Sequence, residues 1–165
     1  MPFAWDNRHF TNQIPCLDFA NTVVWRHDPA RREDRLGQPA DLTAWAMAAK
    51  LARPEMRLSG AIAMRETIDR YFRSGAKAQE WADLVQLYAE SLAENGWDFP
   101  RTILHSAFVL ALSNDASKVK TCGNCGGLFI DRTRNNNKRW CTAEICGSRM
   151  RSQRHYQKLK DTQAF

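Results

Sequence analysis

Apolar side chains recur every three or four residues through positions 41–113, the period of helices packed on a shared core. Asp41 can cap a first helix that carries Leu42, Trp45 and Ala49 on one face. A second, over about 55–74, lines up Leu58, Ile62, the aliphatic stem of Arg65, Ile68 and Phe72, and stops at Gly75. A third, over about 77–94, bears the stripe Trp81, Leu84, Val85, Tyr88 and Leu92 and ends at Asn95-Gly96. The fourth, over about 101–113, sets Ile103, Ala107, Leu110 and Ala111 beside Leu104, Phe108 and Leu112. Being apolar around most of its surface, it is predicted to be the central helix. Upstream, residues 16–25 have helical spacing in Leu17, Ala20, Asn21 and Val24, and the Val23-Val24 pair fits a strand equally well. Residues 27–40 are charged and punctuated by Pro and Gly, a loop signal.

The pattern changes after the turn Ser113-Asn114-Asp115. Four cysteines follow, spaced Cys122-x2-Cys125-x15-Cys141-x4-Cys146, the spacing of a zinc site with a Cys-x-x-Cys knuckle at one end. Gly123 and Gly126 suit the tight turn of such a knuckle. Residues 128–132 alternate like a strand, Asn135-Asn136-Asn137 makes a turn, and 138–140 are predicted to return as the second strand of a hairpin. A helix then starts near Cys146, with Thr142 or Ser148 as its cap. The fold class is therefore mainly α: a helical N-terminal domain over 1–116, and a small treble-clef-like zinc module of knuckle, β-hairpin and helix over 117–165. An all-thiolate shell leaves the metal no open position, so the single zinc ion is structural. Trp140, beside a ligand, is expected to pack over the metal site. Cys16, the fifth cysteine, lies in an apolar stretch and is expected to be a buried thiol.

Charge separates the two parts. Residues 118–165 hold 11 Lys/Arg against 3 Asp/Glu, net +8, whereas the other 13 basic and 15 acidic groups leave 1–117 at −2. No acid occurs from 147 to 160. At about 100° per residue, Arg151, Arg154 and Lys158 share the face opposite Ile145, Tyr156 and Leu159. The apolar trio is expected to pack on the hairpin or the helical domain, leaving the cations to a polyanion. Lys138 and Arg139 have two roles open to them: offsetting the charge of the zinc–thiolate centre, or contacting phosphate. Nucleic acid, with DNA placed first, is the expected partner; RNA, which the sequence does not separate from DNA, and a zinc-stabilised protein-docking module are the alternatives. In the helical part, Asp18, Asn21 and Thr22 are polar groups among apolar ones, which either anchor the fold or line a pocket for a small-molecule effector. Asp18, His27, Asp28 and His105 form no catalytic constellation, so no enzyme activity is expected.

The 44% hydrophobic content supports a buried core. The most apolar run, 103–112, is too short to span a bilayer. No leader pattern opens the chain and thiolate ligands suit a reducing compartment, so a cytoplasmic location is expected.

The string Cys122…Cys125-Gly-Gly-Leu-Phe-Ile-Asp-Arg-Thr-Arg-Asn…Arg139-Trp-Cys-Thr…Cys146-Gly-Ser-Arg resembles the CGNR zinc finger family. Leu17-Asp-Phe-Ala-Asn-Thr, Asp41-Leu-Thr-Ala-Trp and Met64-Arg-Glu resemble the ABATE domain that accompanies it. The resemblance spans nearly the whole chain and implies a stress-related transcription regulator. One departure is Ser148, where the family motif has Asn; Ser can replace Asn as a cap, whereas in a base-edge contact the exchange would alter specificity. Arg149 matches the motif and is the leading candidate for a phosphate or base contact. One finger has a small footprint, so a homodimer through the helical domain would raise affinity.

Overall fold

The structure, a computed structural model, describes residues 1–93 and 96–163. Among these lie six α-helices: α1 (Pro15–Ala20), α2 (Pro39–Ala48), α3 (Leu58–Ser74), α4 (Ala78–Ala93), α5 (Phe99–Ala111) and α6 (Ser148–Gln163). Two short antiparallel hairpins accompany them, β1 (Val23–Val24) with β2 (Glu33–Asp34), and β3 (Val119–Thr121) with β4 (Leu128–Ile130). The chain is mainly α. Helix α3 ends at Gly75 in the left-handed region (φ 75°), as the sequence pattern requires. The stop at Asn95 lies outside the described residues.

Burial gives the central place to α1 rather than α5. Cys16, Leu17, Phe19 and Ala20 have no accessible surface, and α3 and α5 pack on either side of this six-residue helix. Trp45 of α2 closes the cluster, its ring centroid 5.0 Å from Phe19 and 6.0 Å from Phe99. Helix α5, by contrast, leaves Val109 and Leu112 in solvent, because α1 covers one of its sides and α4 only part of the other. Helix α2 begins at Pro39, two residues before the predicted cap. Gln38 is the N-cap, and the Asp41 carboxylate accepts from the Gly37, Gln38 and Phe3 amides at 3.1, 3.0 and 2.7 Å.

Ionic pairs fasten the charged 27–40 loop. Arg65 is buried along its whole length, and its guanidinium grips both Asp34 oxygens at 2.7 Å. It also donates to Glu66 at 2.9 Å and to the Thr22 hydroxyl at 3.2 Å. This pins the β1–β2 hairpin to α3.

In the C-terminal part the predicted strand pairing is replaced. β4 pairs with β3, which precedes the knuckle, so Cys122–Cys125 is the tip of this hairpin and residues 138–140 form no strand. Asp131 explains the difference. Its carboxylate, fully buried, accepts from the Thr133 and Lys138 amides at 3.0 and 2.7 Å and from the Lys120 ammonium at 2.8 Å. The Lys138 amide, which a 128–132/138–140 ladder would have used, is thus taken by a side chain, and the Thr133 amide just beyond the first strand with it. Burial acts to raise this carboxyl, and those donors hold it below the usual carboxylate range.

Helix α6 also departs from expectation. Tyr156 is 66% and Leu159 45% exposed, and every residue from 151 to 162 faces solvent. Beyond Met150 in the first turn, two apolar side chains in three turns bury too little surface to draw so charged a helix onto the body. Only its first turn is attached.

Arg65→Ala leaves Asp34 and Glu66 without their shared partner and is expected to lower unfolding free energy by about 3 kcal/mol in urea titration. A loss under about 0.5 kcal/mol, the range of ordinary surface substitutions, would remove the pairing from the account of the hairpin.

Candidate metal centre and nucleic-acid interface

The four predicted ligands converge. The Sγ atoms of Cys122, Cys125, Cys141 and Cys146 all lie within 4.8 Å of one another. The Cys125–Cys141 separation is 3.8 Å and Cys141–Cys146 is 3.5 Å. A tetrahedral zinc with sulfur at about 2.3 Å requires edges of about 3.8 Å, which these distances match. Four thiols so placed cannot all ionise by themselves. Hydrogen bonding from Cys125, Cys141 and Cys146 drives Cys122 far below the usual thiol range, while its neighbours drive Cys125 and Cys141 far above it. A dication is what makes four thiolates compatible. Among the described residues no His or carboxylate joins the group, and the four sulfurs form one closed, structural zinc site. Cys16 is excluded: buried, its thiol is pushed up to about 12 by desolvation.

Two glycines allow the knuckle to seat. A Cβ on Gly123 would lie 2.9 Å from the Trp140 ring, and one on Gly126 (φ 71°) 2.5 Å from His27 Nδ1. Trp140 packs against the tetrad, as its position beside Cys141 suggested. Thr142 caps the π-helical turn Ala143–Gly147, its hydroxyl accepting from the Cys146 amide at 3.5 Å.

The knuckle is bonded directly to the helical part. Trp25 N–H donates to the Cys125 carbonyl at 2.7 Å, and Arg73 reaches the Gly126 carbonyl at 2.7 Å. Asn21, the C-cap of α1, acts as a strand partner for Leu128: its Oδ1 accepts from the Leu128 amide at 2.7 Å and its Nδ2 donates to the Leu128 carbonyl at 2.8 Å. The polar trio of α1 therefore separates into roles. Thr22, with no exposure, donates to the Phe19 carbonyl at 2.8 Å and accepts from Arg65. Asp18, 3% exposed, accepts from the Asn12 amide at 3.0 Å and its side chain at 3.1 Å. Both are fold anchors, and of the three only Asn21 borders open space.

That space is a cavity of about 300 Å³ between the metal centre and the helical part, bordered by Arg8, His9, Trp25, Arg35, Ile145 and Arg149 among others. Nothing in the sequence pattern marked Arg8, Trp25 or Arg35; they are brought together only by the fold.

The five candidate phosphate contacts are all exposed: Arg139, Arg149, Arg151, Arg154 and Lys158. Among the described residues none of them forms an ion pair. Arg139 lies 5.3 Å from the Trp140 ring centroid. Arg151 donates to Ser148 Oγ at 2.9 Å and Arg154 to the Met150 carbonyl at 3.3 Å. Ser148, the departure from the family motif, thus orients Arg151. Arg149 stands apart from Arg151, Arg154 and Lys158: four residues beyond Ile145, it turns with it toward the cavity.

Fold and site together define a helical protein carrying a zinc finger with four thiolate ligands. A family model described as "Putative stress-induced transcription regulator" (ABATE) matches residues 14–96, and the CGNR zinc finger model matches 118–158. The first covers just over half of the chain, which belongs to the ABATE family and ends in a CGNR zinc finger. No curated protein and no solved structure matches it.

Asp18 provides a test of the anchoring role. Burial raises its carboxyl from 3.8 to about 6, so the folded state holds the proton more tightly than the unfolded chain does. Stability therefore falls as pH rises from about 4 to 6 and stays lower above that. Asp18→Asn is expected to melt with the wild type at pH 4 and to be more stable at pH 7.5, by up to about 3 kcal/mol in urea titration. A variant destabilised equally at both pH values would contradict this.

Proposed function

We propose that this protein is a DNA-binding transcription regulator of a stress response. Zinc fixes the finger, and Arg139, Arg149, Arg151, Arg154 and Lys158 engage the nucleic acid. The observation that carries the reading is α6: a helix in solvent on all sides beyond its first turn, with Arg149, Arg151, Arg154 and Lys158 exposed and paired with no carboxylate among the described residues. Sixteen residues span about 24 Å, enough to follow a major groove, and phosphate is the partner that gains most from such a helix. The family description supports the regulatory role. The metal takes no part in catalysis in this reading, since its ligand set is closed.

The helical domain is the proposed dimer contact, on a specific observation. The outward sides of α4 and α5 carry Leu92, Val109 and Leu112, with Trp97 packed edge-on to His105 at 5.0 Å; Leu92, Trp97, Val109 and Leu112 are each more than half exposed. A two-fold pair would double the DNA footprint. The thiolate shell suits a reducing cytoplasm. Among the described residues no helix is long and apolar enough to cross a membrane.

An electrophoretic shift assay over a salt series tests the DNA reading. Binding is expected to weaken steeply with salt, and Arg151→Ala/Arg154→Ala to reduce the log–log slope by about 2. No retardation at low salt, or an unchanged slope, would contradict it. Stronger retardation of single-stranded RNA than of duplex DNA would move the assignment to RNA.

A further inference from the structure

The cavity at the seam contains a combination of groups of which the nucleic-acid reading uses only Arg149. It draws Arg8 from the N-terminal segment, Trp25 and Arg35 from the β1–β2 hairpin region, and Ile145 and Arg149 from the start of α6. Among the described residues no Asp or Glu borders it. Arg8 is paired with Asp6 at 2.5 Å and Arg35 with Glu33 at 3.1 Å, both acids standing outside the lining. Arg149 is the one cation of the three without a hydrogen-bond or ion-pair partner among the described residues. Trp25 is held in the left-handed region (φ 58°), which is unfavourable for a bulky side chain, by its bond to the Cys125 carbonyl and the Arg31 guanidinium 3.5 Å from its ring. The volume, about 300 Å³ including the space against Cys125, Cys141 and Cys146 where the metal lies, is at the lower end for small-molecule sites.

We infer that this cavity binds a small aromatic carboxylate. The charge argues for a monoanion: two of the three guanidiniums are already paired, and one remains. The zinc–thiolate centre forms one wall with a formal charge of about −2, which opposes a phosphate dianion more than a carboxylate. A guanidinium fork suits a carboxylate in bidentate geometry. Val24, Trp25 and Ile145 give the ring apolar contact, and Thr11, Asn21 and Thr142 add neutral polar groups. Of Asp18, Asn21 and Thr22, for which a pocket was one of two open readings, only Asn21 borders this site. The competing role for the arginines is to offset the thiolate charge alone, and that role requires no ligand.

The two roles separate in calorimetric titration of the zinc-loaded full chain with 2-naphthoate and its neutral counterpart 2-naphthamide. One-site binding of naphthoate is expected with Kd of about 1 mM or tighter. The amide should bind about tenfold more weakly, and so should naphthoate to Arg149→Gln, whose exposed position leaves zinc content and melting temperature unchanged. Trp25→Leu should weaken both probes alike. Equal affinity for acid and amide, undiminished binding by Arg149→Gln, or no saturable heat at millimolar naphthoate would overturn the site. Zinc loss from Arg149→Gln together with no naphthoate binding to the wild type would assign the arginine to counter-charge instead. A second arm rests on the proposed DNA binding: because Arg149 belongs to both surfaces, naphthoate and duplex DNA should weaken each other by the same factor. Independent binding would overturn that linkage while the first titration still decides the site.

Discussion

Four sulfur atoms within 4.8 Å of one another are compatible as thiolates only around a dication, and the part of the chain beyond α5 is arranged by that requirement. The knuckle must bring two of them from one tight turn, so Gly123 and Gly126 stand where the Trp140 and His27 rings leave no room for a Cβ. The other two come from the segment that opens α6, and the Thr142 cap sets the direction in which that helix leaves. A helix with no support of its own beyond the first turn takes its aim from the metal.

The same centre couples the finger to the helical domain. Cys125 and Gly126 offer their carbonyls to Trp25 and Arg73, and Leu128 completes its backbone pairing with the Asn21 side chain. Also on α3, Arg65 fastens the hairpin that carries Trp25 and Arg35. The walls of the seam cavity are thereby fixed from two directions, metal on one side and buried ion pairs on the other. This gives the proposed effector site and the proposed DNA-contacting helix a shared residue in Arg149 and a shared mechanical origin.

What was legible in the sequence followed from rules that act locally. Cysteine spacing declared the metal site because ligand chemistry tolerates few alternatives. Helical periodicity located α2 to α5, and Gly75 the stop of α3, because burying one side of a helix leaves a regular trace. Features set by distant partners were hidden. Asp131 redirects the amides of Thr133 and Lys138, so β4 pairs with β3 instead of with 138–140. Asn21 finds its partner 107 positions away, which spacing within α1 cannot announce. The stripe of Tyr156 and Leu159 was real on the helix wheel, and the wheel is silent on whether a surface stands opposite. Arg8 and Arg35 carried no signal at all, since a cavity is a property of the assembled chain.

The central claim is that zinc holds the finger to the helical domain. Amide hydrogen exchange at Trp25 and Leu128, whose backbone N–H groups cross the seam, tests it most directly, before and after zinc is removed by a chelator under reducing conditions. The account predicts both amides protected with zinc and exchanging freely without it, while the core amides of α3 and α5 stay protected. Unchanged protection at Trp25 and Leu128 in the zinc-free protein would contradict it.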